Sequence, residues 1–131
     1  VARDLSGAGR ILFVEDEDAV RGVAAKLLRA RGYEVIEAAS GEEALELAEE
    51  HAGSIDLMIS DVVMPTMDGP TMVRHARERY PDLPILFMSG YAEEQLRKSI
   101  DLDNVSFLPK PFSVQQLAEA ARDVLAGAAN H

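Results

Sequence analysis

Five polar residues stand at the ends of short apolar runs, and their types suit one chemistry. Glu15 and Asp16 follow RILFV, Asp61 follows IDLMIS, Ser89 ends PILFMS, and Lys110 lies between Pro109 and Pro111 after VSFL. Carboxylates brought together repel and raise one another's pKa unless a cation neutralises them. With oxygen ligands and no cysteine in the chain, the natural cation is hard and divalent. That means Mg2+ (or Mn2+), which keeps several waters and takes one or two carboxylates plus phosphate oxygens. A carboxylate beside such an ion, with an ammonium and a hydroxyl ready to hold further oxygens, is a site for phosphoryl transfer. Asp61 is the expected nucleophile, forming an aspartyl phosphate by in-line attack. Glu15 and Asp16 are expected to hold the metal, Asp16 more directly. Lys110 is expected to pair with Asp61 at rest and with the phosphoryl group afterwards. Ser89 is expected to donate to a phosphoryl oxygen.

Taken singly, each residue has an ordinary reading. Asp16, Glu17 and Asp18 suit a helix N-terminus, and Asp61 could form an Asx turn. Asp68 before Gly69-Pro70 reads as a turn or cap, Ser89 as a strand-end hydroxyl and Lys110 as a solvated lysine. What favours the joint reading is their arrangement at four separate strand ends.

The elements that must place them follow from periodicity. Strands are expected at Arg10–Val14, Tyr33–Ala38, Ile55–Ser60, Pro84–Ser89 and Val105–Leu108. A helix over Asp18–Arg31 carries Val20, Val23, Ala24, Leu27 and Leu28 at helical spacing and stops at Gly32. Ser40 with Glu43 makes a capping box for a second helix, closed by Gly53. Pro70 opens a third helix, to about Tyr80, with Met72, Val73 and Ala76 inward. A short helix over about Glu93–Ile100 follows, and Ser113 with Gln116 opens the last one. Five strands each followed by a helix give a parallel sheet covered on both faces, a doubly wound (βα)5 fold of flavodoxin/CheY-like type with order 2-1-3-4-5. Nothing chemical follows the second strand, which is expected at an edge. Residues 1–9 read as a linker, 10–126 as the domain and 127–131 as a tail. The first residue is Val, as expected of a piece of a longer chain.

The motifs LFVEDED at 12–18, ISDVVMPTMDG at 59–69, MSG at 88–90 and FLPKPF at 107–112 resemble the receiver domains of two-component response regulators over about Arg10–Leu125. The resemblance implies that Asp61 takes a phosphoryl group from a phosphohistidine on a partner. It implies Mg2+ on Asp16, Asp61, Glu15 through water, and the backbone carbonyl of Val63. It makes Ser89 the switch hydroxyl, Phe107 the switch aromatic, and the Lys110–Pro111 bond cis. Phosphorylation would then reshape the face made by the 93–100 helix, the fifth strand and the last helix. The runs DLSGAGRILFVEDEDAVR, SGYAEE and FLPKPF are similar more closely to the C-terminal receiver of cell-cycle hybrid histidine kinases of the CckA type. That implies a parent histidine kinase, with its own phosphohistidine domain and a histidine phosphotransferase as partners. A stand-alone single-domain regulator is the alternative. The chain departs from many receivers at Val63 and Tyr91, positions that tune hydrolysis, and this pair is expected to give a fairly long-lived aspartyl phosphate.

The rival classes fit less well. Asp-nucleophile phosphatases resemble DxDxT after the first strand, whereas Asp61 follows the third. A flavodoxin-like cofactor carrier would need a hydroxyl-rich phosphate loop where four acids stand. Gly7-Ala8-Gly9 precedes its strand, so it is no dinucleotide fingerprint. His51 and His75 read as surface or boundary residues. The 131 residues hold 13 bases and 23 acids, net −10, which disfavours direct contact with nucleic acid or an anionic membrane. No apolar run approaches the roughly 20 residues that span a bilayer. A cytoplasmic monomer is expected, with the parent kinase anchored at the inner membrane as an open alternative. From Gly32 to Val73 there are ten acids and no Lys or Arg, so the surplus lies in one segment. Its expected roles are solubility and steering of a basic partner.

Overall fold

Five-residue runs with few polar side chains make the three inner strands, since strands covered on both faces need apolar residues at every position. In the computed structural model, which describes residues 7–90, 98 and 100–129, these are β1 (Arg10–Val14), β3 (Leu57–Asp61) and β4 (Ile85–Ser89). β2 (Glu34–Ala38) and β5 (Val105–Pro109) flank them, and all four pairings are parallel, in the order β2-β1-β3-β4-β5. Helices α1 (Asp18–Ala30), α2 (Gly41–Glu50), α3 (Gly69–Arg79) and α4 (Val114–Ala129) cover the sheet. The helix expected over 93–100 lies outside the described residues, apart from Lys98 and Ile100. The strands therefore stand where expected, with ends shifted by up to two residues. β3 begins at Leu57 instead of Ile55 and runs on to include Asp61.

Alternation along each strand divides the core in two. Ile11, Phe13, Ile59 and Met88 pack against Ala24, Ala25 and Leu28 of α1 and Leu117, Ala121 and Leu125 of α4. Leu12, Val14, Met58 and Phe87 face the other way, toward Ala44 and Ala48 of α2 and Met72, Val73 and Ala76 of α3. The period-2 geometry of a strand sends neighbouring residues to opposite faces, so one apolar run fills both layers.

One expected face was misplaced. In α1, Val20 is 41% and Val23 is 60% exposed, while Ala25, which the helical spacing did not single out, is fully buried. The stripe that meets the sheet is narrow and is filled by Ala24, Ala25 and Leu28, which turns Val20 and Val23 outward.

The helix ends follow the expected chemistry. Ser40 Oγ accepts from Glu43 N at 3.1 Å, and Glu43 Oε1 accepts from the amide of Ala39 at 2.6 Å, one residue before the cap. Ser113 and Gln116 close a complete box, with bonds of 2.7 and 3.1 Å. Gly32 ends α1 with φ +102°, and a Cβ there would lie 2.4 Å from the carbonyl oxygen of Gly7. Gly7 and Gly9 are held against the domain, since Gly7 N donates to Tyr33 OH (2.9 Å) and Gly9 O accepts from Glu34 N (2.9 Å). Asp68 caps α3, with Oδ1 accepting from Thr71 N at 2.9 Å. Asp68→Ala is therefore expected to cost about 1 kcal/mol, read as a lower denaturant midpoint at unchanged slope.

The acidic segment is in part neutralised by bases from outside it. Glu34 pairs with Arg10, Glu37 with Arg21 and Arg29, and Glu49 with Arg79. Among the described residues no helix is long and apolar enough to cross a membrane.

Candidate functional site

The strand order reverses at β1, whose neighbours are β2 and β3, and the carboxyl ends of the strands at such a point form a crevice for ligands. Beyond Val14, the amide of Glu15 still donates to Ala38 O of β2 at 3.0 Å, so the chain leaves the sheet one residue late. The Glu15 side chain is thereby carried inward and is 1% exposed. Its Oε1 accepts from Glu17 N at 3.1 Å, whereas Oε2 is buried with no hydrogen-bond partner. Asp16 is exposed at the rim. It does not cap α1, because Glu17 takes that position without a side-chain capping bond.

Asp61 ends β3 and is 4% exposed. Its backbone is fixed on both sides: Ser60 Oγ donates to Asp61 O at 2.9 Å, and Val62 N donates to Met88 O at 3.1 Å. Glu15, Asp16 and Asp61 each offer a carboxylate oxygen, and these oxygens all lie within 4.8 Å of one another. Lys110, just past β5, places Nζ 2.6 Å from Asp61 Oδ1. Its own amide donates to Ser89 O at 2.7 Å, and the Lys110–Pro111 peptide is cis. Ser89 ends β4 and is buried. Val63, two residues past Asp61, turns its side chain to solvent. Phe107 in β5 is half-buried, its ring stacked on Phe87 at 5.9 Å between centroids. Tyr91 lies outside the described residues.

The electrostatics follow from this crowding. Burial first, and then the Asp61 side chain and its charge, push the Glu15 carboxyl from its ordinary 4.5 up to about 8. For Lys110, burial alone would favour the neutral amine, but Asp61, with Glu15 and Glu17, outweighs it and holds the ammonium above its ordinary pKa. A buried carboxylate oxygen with no donor, converging with two more carboxylates, fits a hard divalent cation.

A pH dependence follows. Glu15 holds a proton in the folded chain that the unfolded chain releases near 4.5, so its contribution to stability is full below that value. It is lost as pH rises through about 8. The metal-free domain is expected to lose stability on the order of a few kcal/mol between about pH 5 and pH 8. Added Mg2+ should restore most of it at the alkaline end, where the proton no longer competes. Melting curves across this range, for the wild type and Glu15→Gln, check it: the glutamine variant should flatten the slope.

Sequence reasoning placed Glu15, Asp16, Asp61, Ser89 and Lys110 at the strand ends where they stand. It missed Arg21, whose Nη1 donates to the backbone carbonyl of Glu15 at 2.8 Å. The three-residue spacing from Asp18 signals that ion pair, which is present at 2.6 Å, but no sequence pattern signals a bond to a carbonyl six residues back.

Comparison with known proteins gives a consistent set. The profile of the response regulator receiver domain matches residues 11–122. The sensor kinase CckA of Brucella abortus (strain 2308) is 52% identical over 125 residues, a match covering 95% of this chain and 13% of that protein. The response regulator receiver protein CpdR of the same organism is 36% identical over 120 residues, covering 91% of this chain and 98% of CpdR. The crystal structure of the receiver domain from the hybrid histidine kinase CckA superposes with a TM-score of 0.77 at 58% identity, covering 89% of this chain and 99% of that one.

Proposed function

The chain belongs to the response regulator receiver domain family, and from that premise we propose that Asp61 accepts a phosphoryl group from a phosphohistidine. The observation that carries this is the buried Asp61 carboxylate, converging with Glu15 and Asp16 and paired with Lys110 at 2.6 Å. Mg2+ would be held by Asp16 and Asp61, by Glu15 through water and by the carbonyl of Val63, and when bound it neutralises charge on the phosphoryl oxygens. An oxygen of Asp61 forms the O–P bond as the P–N bond breaks. The electron pair of that bond leaves with the imidazole nitrogen, which takes up a proton. The Lys110 ammonium then transfers its pairing from Asp61 to the phosphoryl oxygens, and the Ser89 hydroxyl donates to one of them. Phe107 turns inward behind Ser89, reshaping the face formed by the segment after Ser89, β5 and α4. Val63, two residues past the acceptor, would set the access of hydrolytic water, and Tyr91 would share that role as the sequence reading expects.

Residues 10–126 are the receiver domain in this proposal, flanked by a short linker and tail. Its relation to the receiver of a hybrid histidine kinase supports a parent histidine kinase. The partners would be that kinase's phosphohistidine domain and a histidine phosphotransferase. Mixing the domain with acetyl phosphate and Mg2+, followed by intact mass, tests the acceptor role. A single base-labile phosphoryl adduct that disappears with chelator is expected. No adduct under any Mg2+ concentration would refute the assignment.

A further inference from the structure

We propose that Arg21 is the positioning residue of the cation-binding loop, fixing the Glu15–Asp16 peptide so that both carboxylates aim at Asp61. The inference rests on the cation reading of Glu15, Asp16 and Asp61. Arg21 sits in the first turns of α1, yet its side chain is only 16% exposed. Burying a guanidinium is unfavourable unless its donors are used, and here they are spread over three directions. Nη1 donates to Glu15 O at 2.8 Å, Nη2 to Asp18 Oδ1 at 2.6 Å, and Nε lies 3.5 Å from Glu37 Oε1. A planar fork can serve three such acceptors at once.

The carbonyl of Glu15 belongs to the peptide plane that leads into Asp16. The plane before it is fixed by Glu15 N on Ala38 O at 3.0 Å. With both planes held, the directions of the Glu15 and Asp16 side chains are set from the main chain. Arg21 is itself anchored by Glu37 of β2. Glu37 is gripped from its other side by Arg29 at 3.2 Å, and Arg29 also donates to Val35 O at 2.8 Å. Both arginines therefore tie α1 to β2, but only Arg21 reaches the loop. This difference separates a positioning role from simple attachment of the helix.

Calorimetric titration of the whole chain with Mg2+ tests the inference, comparing the wild type with Arg21→Ala, Arg21→Lys and Arg29→Ala. Both Arg21 variants are expected to bind Mg2+ roughly 10-fold more weakly, and Arg29→Ala to bind as the wild type does. Lysine keeps the charge but not the fork, so weakening in both variants assigns the effect to geometry. With acetyl phosphate, the Arg21 variants should need more Mg2+ for half-maximal phosphorylation yet approach the wild-type rate at saturation. If Arg21→Ala does not fold, Arg21→Lys decides. Unchanged Mg2+ affinity in the Arg21 variants, or equal weakening in Arg29→Ala, would overturn the positioning role while leaving the acceptor site intact. A wild type that binds no Mg2+ would instead remove the cation reading on which it stands.

Discussion

Asp61→Asn is expected to abolish phosphoryl acceptance altogether while leaving the fold in place. The amide has the shape of the carboxylate but neither its charge nor its nucleophilic oxygen pair, so the O–P bond has no electron donor at that position. Asp61 is 4% exposed, and the nearby acids cannot substitute. Glu15 is buried with one oxygen committed to Glu17 N, and Asp16 is exposed at the rim, whereas Asp61 is the carboxylate that pairs with the Lys110 ammonium. The substitution also removes one of three converging carboxylates, so Mg2+ affinity should fall at least about 10-fold, as expected on loss of a charged ligand from a hard-ion site. A third consequence concerns Glu15. Burial is the main cause of its raised pKa, but Asp61 adds to it. With a neutral amide there, the loss of stability between about pH 5 and pH 8 should become shallower without vanishing. Intact mass after acetyl phosphate reads the first effect, calorimetry the second and melting curves the third. An adduct of wild-type amount on the variant would mean that another residue is the acceptor.

The sheet and most of the site were legible in the sequence for a physical reason. Strands buried on both faces must be apolar nearly throughout, so Ile11–Val14, Leu57–Ile59 and Ile85–Met88 stand out, and the polar residues that end or follow these strands, Glu15, Asp61 and Ser89, stand at the crevice. Asp68 and Ser113 were legible because capping is local and has residue-type rules. What was not legible is whatever depends on partners far along the chain. The period of α1 allowed several faces, and only packing against the sheet chose Ala24, Ala25 and Leu28 over Val20 and Val23. Arg21 reads as a surface arginine because arginines are seldom buried. Its burial depends on Glu37 of β2, whose approach is set by the sheet. Thr66 is a similar case: its φ of +64° is unusual for a β-branched residue. Its hydroxyl donates to Glu42 of α2 at 2.8 Å, a pairing that the run MPTMDG does not announce.

The largest stability effect should come from Gly69→Ala, one methyl group at the start of α3. A Cβ at this position would lie 2.3 Å from the backbone oxygen of Asp61, 3.0 Å from Phe87 Cε1 and 3.2 Å from Val62 Cα. The first contact is with main chain that cannot yield independently. That carbonyl accepts from Ser60 Oγ, and the neighbouring Val62 is bonded through its amide to Met88 O and through its carbonyl to Gly69 N at 2.8 Å. The second contact is with a fully buried ring that stacks on Phe107. Relief therefore requires α3 to move away from β3, or the Asp61 peptide to rotate. The first opens the layer formed by Met72, Val73 and Ala76, and the second swings the acceptor carboxylate away from Lys110. Overpacking of this kind costs about 3 kcal/mol or more, and a displaced acceptor should slow phosphorylation as well. Gly22→Ala is the matched control. It lies mid-helix on the exposed side of α1 with nothing within 4 Å of its Cβ, so it should stabilise by up to about 1 kcal/mol through helix propensity. Urea titrations of the two variants should therefore move in opposite directions from the wild type. A Gly69→Ala midpoint within error of the wild type would show that the α3–β3 junction can yield, and with it that the position of Asp61 is softer than its hydrogen bonds imply.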